Sequence, residues 1–350
     1  MGKNKTIAIV TNNYKPYSGG VVSSIVALTK EERQKGNKVF IITLDFLDDM
    51  EPEEGVIRIQ CPLKFRYHGN YMAVPWRPKT NICEIIEEIK PDLIHSQHPF
   101  FLGVYALKAA RCLKIPIHFT YHTQYEKYVH YLPFPERVSA AVVKQLVIDY
   151  CNKVDKIIAP TKSIQQFLKN EKVKTPIKVS PTKVDPIFIQ ERPVTRFKKK
   201  IQLITVSRFA KEKNIPFLLE VFSKLDFEKF DFTLVGYGPE EQNLKQFAKI
   251  LKIPDSCINF VIAPAKEKIA ELYRQSDLFI FASTTETQGI VLNEALASKL
   301  PIIAVDAFGS CDIVQHGKNG YLVKSQEKMI QKINLIFHET ENGSRLIKPF

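Results

Sequence analysis

The sequence has no apolar run close to the roughly 18 residues of a membrane-spanning helix. Its first apolar run, Ile7–Val10, is also far too short for the core of a secretory signal peptide. These two absences predict a cytoplasmic protein, whose contact with the inner face of a membrane would be peripheral.

Paired cysteines and phosphate-binding glycine motifs are also missing. The six cysteines are scattered without a C-x-x-C pair, which argues against a zinc site or a disulfide framework and favours reduced thiols. The chain contains neither G-x-G-x-x-G nor G-x-x-x-x-G-K-[ST], so an ordinary dinucleotide or P-loop site is not predicted. We expect no metal and no bound cofactor.

Negative charge is in short supply, because 37 Asp and Glu stand against 50 Lys and Arg, for a net charge of +13. Residues 1–195 hold 28 Lys and Arg against 19 Asp and Glu. Such a surplus favours an anionic partner: nucleic acid, acidic lipid or a phosphorylated ligand. Since no nucleic-acid-binding motif is recognisable, we do not expect a nucleic-acid partner.

Both halves of the chain alternate short β-branched runs with helical patterns, which is typical of βαβ units and a parallel sheet. The sequence therefore predicts an α/β protein with two doubly wound, Rossmann-like domains. The predicted strands are Thr6–Val10, Lys38–Leu44, Leu93–Ser96, Ile117–Tyr121, Lys156–Ala159, Gln202–Val206, Asp231–Val235, Ile258–Ile262, Leu278–Ala282 and Pro301–Val305.

The segment Gln190–Lys200 is polar, basic and interrupted by proline, as expected of an exposed linker. We predict a boundary near residue 195, between an amino-terminal domain (1–195) and a carboxyl-terminal domain (196–350). Open α/β sheets bind ligands beyond the carboxyl ends of their strands. Two such domains facing each other would form an interdomain cleft, lined by residues that follow strands.

Two features of the first half follow predicted strands. Gly19 and Gly20 precede a predicted helix, where paired glycines permit close backbone approach and helix amides attract anions, although a plain turn is the simpler explanation. His122 begins a stretch rich in Tyr and His that is suited to hydrogen-bonding a polyol. A single histidine is more often structural, so both interpretations stay open.

Two cations follow the first predicted strand of the second half, in V-S-R-F-A-K-E-K-N. Arg208 and Lys213 can converge on one diphosphate, Arg as a fork and Lys as a point charge. The alternative is a pair of solvated surface cations, which is the usual environment of these residue types.

Two carboxylates, Glu286 and Glu294, flank the start of a predicted helix in E-T-Q-G-I-V-L-N-E. Free amides at a helix start attract phosphate or sugar oxygens, and a carboxylate can accept hydrogen bonds from two neighbouring hydroxyls. The arrangement predicts a nucleotide-sugar site, with one carboxylate for the hexose and one for the ribose. Glycoside hydrolysis, which also uses two carboxylates, is disfavoured because the phosphate-binding features indicate a nucleotide.

Four motifs occur in a family-specific order: V-S-R-F-A-K-E-K-N, V-G-Y-G-P-E, E-T-Q-G-I-V-L-N-E-A-L-A and H-G-K-N-G-Y-L-V. In this the chain resembles the retaining glycosyltransferases of family 4, which have the two-Rossmann GT-B fold. S-G-G-V and T-Y-H-T-Q-Y-E-K-Y further resemble the branch that glycosylates lipids such as diacylglycerol. The resemblance implies a metal-independent transferase without a protein nucleophile.

The resemblance also implies roles for the matching positions. Glu286 would hold donor-sugar hydroxyls, Glu294 the ribose, and His122 would lie beside the transferred sugar. The remaining implied positions are Arg208 and Lys213 at the diphosphate, Gln288, Gly289 and Ile290 at the sugar and β-phosphate, Gly236 in the donor site, and Gly19 and Gly20 in a loop closing on phosphates and acceptor.

The sequence departs from the family pattern at two lysines and at its end. Lys183 and Lys299 stand where the family usually has glycine. The sequence ends soon after the predicted helix Met329–Phe337, whereas the family closes with helices that cross back onto the first domain. A truncated or divergent enzyme is one expectation from these differences.

A basic and aromatic segment, Leu63–Lys79, indicates where an acceptor membrane would bind. Cations and Tyr or Trp rings together suit anionic headgroups and the glycerol level, although a solvated basic face explains the pattern equally well. The predicted membrane or acceptor residues are Lys64, Arg66, Trp76 and Arg77, with Lys108 and Arg111 on a helix.

The sequence thus predicts a peripheral transferase that moves a hexose, glucose from UDP-glucose, onto a lipid hydroxyl. Two alternatives remain: a glycosyltransferase with a soluble or polysaccharide acceptor, and a non-catalytic nucleotide-sugar-binding protein.

Overall fold

A computed structural model describes residues 4–17, 19–47, 51–67, 70–76, 78–129, 135–189 and 200–341 of the chain. It divides into two compact units, Met1–Lys183 and Val184–Phe350. Each unit is a parallel α/β sheet with helices, so the predicted fold class is confirmed.

The first unit contains, in its described part, a seven-stranded parallel sheet. Its order is β3-β2-β1-β6-β7-β8-β9, so the winding direction reverses between β1 and β6. The strands are β1 (Thr6–Val10), β2 (Lys38–Leu44), β3 (Val56–Ile59), β6 (Leu93–Ser96), β7 (Ile117–Thr120), β8 (Lys156–Ala159) and β9 (Ile177–Val179). The helices are α1 (Gly20–Gln34), α2 (Pro78–Ile89), α3 (Leu102–Leu113), α4 (Glu136–Cys151) and α5 (Lys162–Asn170).

A separate antiparallel hairpin, β4 (Leu63–Tyr67) and β5 (Asn70–Val74), follows β3. Its register pairs Leu63 with Val74, Lys64 with Ala73 and Phe65 with Met72. Because side chains alternate between faces, Leu63, Phe65, Met72 and Val74 share one face. All four are exposed, whereas Ala73 on the opposite face is buried.

The second unit contains, in its described part, a six-stranded parallel sheet of order β12-β11-β10-β13-β14-β15. This is the doubly wound order in which the winding reverses between β10 and β13. The strands are β10 (Ile201–Val206), β11 (Phe230–Gly236), β12 (Ile258–Ile262), β13 (Leu278–Phe281), β14 (Ile302–Val305) and β15 (Gly320–Val323). The helices are α6 (Ile215–Phe222), α7 (Glu241–Ile250), α8 (Lys266–Gln275), α9 (Ile290–Ala297), α10 (Ser310–Ile313) and α11 (Gln326–Glu341).

The division between the units falls after Lys183, earlier than the expected boundary near residue 195. The physical reason is Phe188, which is fully buried in the core of the second unit among side chains that include Tyr273 and Phe279. The Phe188 carbonyl also accepts a hydrogen bond from the Ser298 hydroxyl at 3.1 Å. The expected linker lies almost wholly outside the described residues.

None of the helices in the described residues is both long and apolar enough to cross a bilayer.

Candidate functional site

The reversal point of the second sheet places two loops side by side, one after β10 and one after β13. Ligands of doubly wound sheets bind at this point, in the crevice between such loops. The loop after β10 carries Arg208 and Lys213, and the loop after β13 carries Glu286. Arg208 is partly buried, directly before the fully buried Phe209.

Glycines hold the loop after β10 in place. A Cβ on Gly236 would collide with the Ser207 carbonyl, and one on Gly238 with the Phe209 carbonyl. Both glycines in G-Y-G therefore permit two strand ends to pack closely. This packing accounts for glycine at 236, and its predicted contact with a donor remains a prediction.

Lys213 and Glu286 form an ion pair across the crevice. The Lys213 ammonium lies 2.5 Å from Oε1 of Glu286, and the two side chains are 15% and 17% exposed. Lys213 ends a short 3₁₀ turn, Lys211–Lys213, and the following Asn214 has a left-handed backbone with φ of 51°. The sequence predicted both residues at one site but did not predict that they pair.

Gly309 supports Glu286 from the loop after β14. Its φ is +78°, and a Cβ there would lie 2.6 Å from Cβ of Glu286 and 3.1 Å from the Glu286 carbonyl oxygen. A residue with a side chain would therefore push the Glu286 backbone away. The sequence analysis did not identify this glycine, because its partner is more than twenty residues away in the chain.

Glu294 lies inside α9, close to Tyr273 of α8. The Tyr273 hydroxyl lies 3.4 Å from Oε2 of Glu294 and 3.3 Å from the Val291 carbonyl oxygen, so its one proton is shared between these two acceptors. Burial raises the pKa of Glu294 to about 7, while the bond from Tyr273 and the charge of Lys266 oppose the rise. A carboxyl group with a pKa near 7 can lose its proton when ligand hydroxyls donate hydrogen bonds to it, because those bonds stabilise the carboxylate.

The start of α9 is at Ile290, as predicted, and Gly289 is its N-cap with a left-handed φ of 67°. A Cβ on Gly289 would lie 2.9 Å from Cδ1 of Leu292, so both the turn and the space favour glycine. The neighbouring Gln288 is buried. The contacts of these amides with a donor stay a prediction.

In the first unit, His122 follows β7 and bonds to a residue that the sequence analysis missed. Nε2 of His122 lies 2.7 Å from Oε1 of Gln97, which is buried in the loop after β6. Burial, with smaller contributions from His98 and His95, lowers the pKa of His122 to about 3. The imidazole is therefore neutral at physiological pH. The loop could have been found, because Q-H-P-F directly follows the predicted strand Leu93–Ser96.

The predicted glycine loop lies at the start of α1. Gly19 is the N-cap of α1, and its carbonyl accepts from the Ser23 amide at 2.9 Å. Within the described residues, a Cβ on Gly19 would meet nothing within 4 Å. Open space at this position leaves room for a ligand, but the predicted closure over phosphates is untested.

The cationic residues predicted to contact a membrane differ in their exposure and in their partners. The Lys64 side chain is only 17% exposed and pairs with Asp45 at 2.8 Å, which fastens the hairpin to the unit, so its contact with an acceptor or membrane stays a prediction. Arg111 is exposed but contacts Asp155 at 3.6 Å and the Lys153 carbonyl. Lys108 is exposed above the Tyr105 ring. Arg77 lies outside the described residues, as does the side chain of Arg66.

The two lysines at family glycine positions differ in backbone. Lys299 has a left-handed φ of 57°, so the turn after α9 keeps the geometry that glycine would supply. Its amide donates to the Leu296 carbonyl at 2.9 Å. Lys183 instead forms an ion pair with Glu31 at 2.9 Å. Lys299 therefore replaces glycine without loss of the turn.

Among the described residues, no group of three or more His, Cys, Asp or Glu side chains is placed to hold a metal ion. Independence from metal remains a prediction.

Solved structures share this fold over almost the whole chain. Anabaena HepE, solved with UDP and glucose, matches with a TM-score of 0.76 at 18% identity, covering 98% of this chain and 92% of HepE. The sucrose-phosphate synthase of Thermosynechococcus elongatus matches with a TM-score of 0.78 at 17% identity and the same coverage. Two Rossmann-like units of this kind define the GT-B class of glycosyltransferase folds.

Sequence comparisons give the family. Residues 18–187 match the model "Glycosyltransferase Family 4", and residues 188–349 match "Glycosyl transferases group 1". An alpha-monoglucosyldiacylglycerol synthase of Streptococcus pneumoniae is 36% identical over 85% of this chain and 70% of its own length. A synthase of the same name from Acholeplasma laidlawii is 28% identical over 93% of this chain and 87% of its own. The chain belongs to family 4 of the glycosyltransferases.

Proposed function

We propose that this glycosyltransferase moves glucose from UDP-glucose to the hydroxyl of diacylglycerol, with retention of configuration and without a metal ion. The observation that carries the proposal is the 36% identity to an alpha-monoglucosyldiacylglycerol synthase over 85% of this chain. The UDP and glucose bound by Anabaena HepE support UDP-glucose as the donor.

In this proposal Lys213 and Glu286 bind the donor together. A carboxylate has about four acceptor positions and an ammonium has three donors, so the two groups can bind each other and the donor together. Glu286 accepts hydrogen bonds from glucose hydroxyls, and Lys213 neutralises the diphosphate as it leaves. Placing such charges beforehand is commonly the largest single contribution to catalysis. Arg208 adds a second cation to the diphosphate.

Glu294 accepts the ribose hydroxyls in its ionised form. Its raised pKa means that a large part of the population holds a proton before the nucleotide binds. Two hydroxyl donors from a ribose stabilise the carboxylate, so binding releases this proton. Affinity for the donor should therefore depend on pH near neutrality.

The chemical step needs no protein nucleophile. The acceptor oxygen bonds to the anomeric carbon as the bond from that carbon to the β-phosphate oxygen breaks, and its electrons pass to the diphosphate. The acceptor proton moves to a phosphate oxygen on the same face. His122, neutral because of its lowered pKa, contributes a hydrogen bond to a sugar hydroxyl rather than a proton.

The hairpin β4–β5 supports binding at a membrane. Its outward side chains Leu63, Phe65, Met72 and Val74 are 43–55% exposed, and Trp76 after β5 is 72% exposed. The opposite face is fastened by the ion pair of Lys64 with Asp45. A fixed apolar face on a chain of net charge +13 suits the interface of an anionic bilayer, where Trp prefers the glycerol level.

The test of function is transfer from a panel of donors: UDP-glucose, UDP-galactose, UDP-N-acetylglucosamine and GDP-mannose. Each donor is incubated with EDTA, with and without diacylglycerol in vesicles that contain anionic phospholipid. We expect UDP release only with UDP-glucose and diacylglycerol together, and a glucolipid whose α-anomeric signal matches the donor.

Other outcomes separate the alternatives. Transfer to a soluble saccharide at the same rate without vesicles would establish the soluble-acceptor enzyme. UDP binding without turnover of any donor would establish a non-catalytic binding protein. A β-linked product would contradict retention.

The test of membrane binding uses the double variant Phe65→Ser/Met72→Ser. Removal of two outward apolar side chains should weaken binding to anionic vesicles roughly tenfold or more, from about 1 kcal/mol or more lost per side chain. Ile250→Ser, which changes an exposed apolar residue of α7, is the matched control. Equal vesicle binding by both proteins would exclude the hairpin as the membrane contact.

A further inference from the structure

A cavity of about 450 Å³ lies beside α1 in the first unit. This volume is within the roughly 300–1,000 Å³ of pockets that hold small molecules. One face of α1 contributes to its wall, because residues three or four positions apart on a helix are neighbours. The residues of the wall that matter here are Thr29, Lys30 and Arg33 of α1, Tyr14 and Lys15 after β1, and Glu53 before β3.

Thr29 brings an unused hydroxyl to this cavity. The residue is 7% exposed, and its Oγ1 is buried without a hydrogen-bond partner among the described residues. A threonine inside a helix can donate to the carbonyl three or four residues before it, but Thr29 does not. A buried hydroxyl without a partner costs free energy, which a valine of the same shape would avoid. Threonine in the wall of a cavity therefore indicates a ligand atom that accepts from it.

Arg33 is held in place without losing its charge. Its Nη2 donates to the Glu54 carbonyl at 3.1 Å and to the Val39 carbonyl at 3.4 Å. Gly55, with φ of +76°, makes room for this, because a Cβ there would lie 2.6 Å from Nη2 of Arg33. Carbonyl groups carry no net charge, so the guanidinium stays uncompensated. A guanidinium has five N–H donors, which is more than these two bonds use.

The charges around the cavity do not cancel. Glu53 is the one carboxylate among the described residues of the wall, and its Oε1 lies 2.8 Å from the Lys15 ammonium. The Tyr14 hydroxyl donates to the same oxygen at 3.1 Å. Lys30 is exposed and forms no ion pair with any residue that the structure describes. Two positive charges, those of Lys30 and Arg33, are therefore left for a ligand.

We propose that this cavity binds a phosphate monoester group. Arg33 binds phosphate oxygens as a fork, Lys30 adds a point charge, and the Thr29 hydroxyl donates to a further oxygen. A phosphate monoester has three acceptor oxygens and a charge of about −1.5 to −2 at pH 7, which matches the two free cations and the hydroxyl. The site consists of residues of the first unit and does not depend on the proposed glucose transfer.

The phosphate could belong to a small soluble ester or to the headgroup of a lipid, and two probes distinguish these sources. The soluble probe is glycerol 3-phosphate, measured by calorimetry on the full chain with UDP present to occupy the proposed donor site. The lipid probe is sedimentation with phosphatidylcholine vesicles that contain or lack phosphatidic acid. Carbon-13 labelling of threonine methyl groups adds a local readout, and we expect the Thr29 signal to shift when either ligand binds.

Variants of the wall test whether the bound phosphate occupies this cavity. Thr29→Val keeps the shape and removes only the hydroxyl, and it should weaken binding roughly tenfold, because hydrogen bonds to charged groups are the stronger ones. Lys30→Gln removes an exposed charge and should weaken binding by roughly threefold. Thr43→Val is the matched control for the first variant, because the Thr43 hydroxyl is also buried without a described partner but does not line the cavity. Lys169→Gln, at an exposed lysine of α5, is the control for the second.

Each outcome bears on the proposal. Binding of glycerol 3-phosphate that Thr29→Val weakens would support it with a soluble ester as the ligand. Phosphatidic acid-dependent sedimentation that Thr29→Val weakens, without binding of the soluble probe, would support it with a lipid headgroup as the ligand. Binding of neither probe, or equal effects of Thr29→Val and Thr43→Val, would overturn it. A lack of glucosyl transfer would count against the proposed function and not against this site.

Discussion

The two units have the same order of central strands, but the loops that follow those strands differ in charge. In the first unit the loops at the reversal point carry buried neutral bases, among them His98, and His122 follows the next strand. In the second unit the corresponding loops carry an ion pair, Lys213 with Glu286, and a partly buried acid, Glu294, follows in α9. The same fold therefore supplies one surface of neutral hydrogen-bonding groups and one of charges.

This difference shows how burial acts on the ionisable side chains of each unit. Burial lowers the pKa of the histidines and raises that of Glu294, so both groups are pushed toward the uncharged form. Glu286 instead forms an ion pair with Lys213. The ion pair of the second unit suits a charged diphosphate, and the neutral histidines of the first unit suit hydroxyl groups.

The largest effect is expected from a substitution that breaks the ion pair of the second unit. Glu286→Gln should lower kcat by roughly 100-fold to 1,000-fold, the usual loss when one preorganised electrostatic contact is removed. The measurement is glucose transfer together with thermal unfolding. Glu271→Gln, which disrupts an exposed pair with Lys268 at 2.9 Å, is the control and should leave kcat unchanged. An unchanged turnover in Glu286→Gln would refute the site.

A smaller effect tests whether the position of Glu286 matters as much as its charge. Gly309→Ala places a methyl group 2.6 Å from Cβ of Glu286, so the carboxylate must move. We expect kcat to fall by roughly tenfold to 100-fold, since displacement of about 1 Å near the chemistry can cost that much. Gly317→Ala is a matched control, with a similar φ of +76° but nothing within 4 Å of the new methyl group. Equal losses in the two variants would show that backbone strain, and not contact with Glu286, is responsible.

The third prediction concerns Glu294 and pH. If binding requires the ionised carboxylate, a pKa near 7 means that the affinity for UDP-glucose rises roughly tenfold between pH 6 and pH 8. UDP-glucose is the suitable probe because its doubly esterified diphosphate does not titrate in this range. Calorimetry in buffers of different ionisation enthalpy should detect proton release. In Glu294→Gln the pH dependence should disappear, and its persistence would assign it to another group.

The smallest expected effect separates the stability of the two units. A lowered histidine pKa means that the unfolded chain binds more protons, so the first unit loses stability as pH falls from about 6.5 toward 4. The loss should be on the order of 1 to 3 kcal/mol for each of the three histidines. Glu294 has the opposite sign, because its raised pKa favours the folded second unit below pH 7.

Hydrogen exchange resolved by peptides can measure this difference. Between pH 7 and pH 5, opening free energies should fall in the first unit and not in peptides around α9 of the second unit. Equal falls in both units would contradict the contrast between buried bases and a buried acid.

Sequence alone predicted the central sheets well, because buried parallel strands are continuous runs of apolar residues. Thr6–Val10, Lys38–Leu44 and Ile258–Ile262 have the predicted bounds. The hairpin was missed as structure, although L-K-F-R-Y-H-G-N-Y-M-A-V has the alternating apolar residues and the central glycine of a hairpin. Its composition was interpreted only as a basic and aromatic patch.

For the site, the sequence indicated the residues but not their partners. Motif spacing identified Lys213, Glu286 and Glu294, because each follows a strand or begins a helix. Nothing in the spacing indicates that Lys213 pairs with Glu286 or that Tyr273 donates to Glu294, since those contacts join segments distant in the chain. Gln97 was missed for the same reason, because its contact with His122 joins residues 25 positions apart in the chain.

The most direct test of the contrast between the two units is to locate the donor on the full chain. Hydrogen exchange with and without UDP-glucose should show the strongest protection in residues 283–297, which include Glu286 and Glu294. Protection confined to the first unit would contradict the assignment of the donor to the second unit.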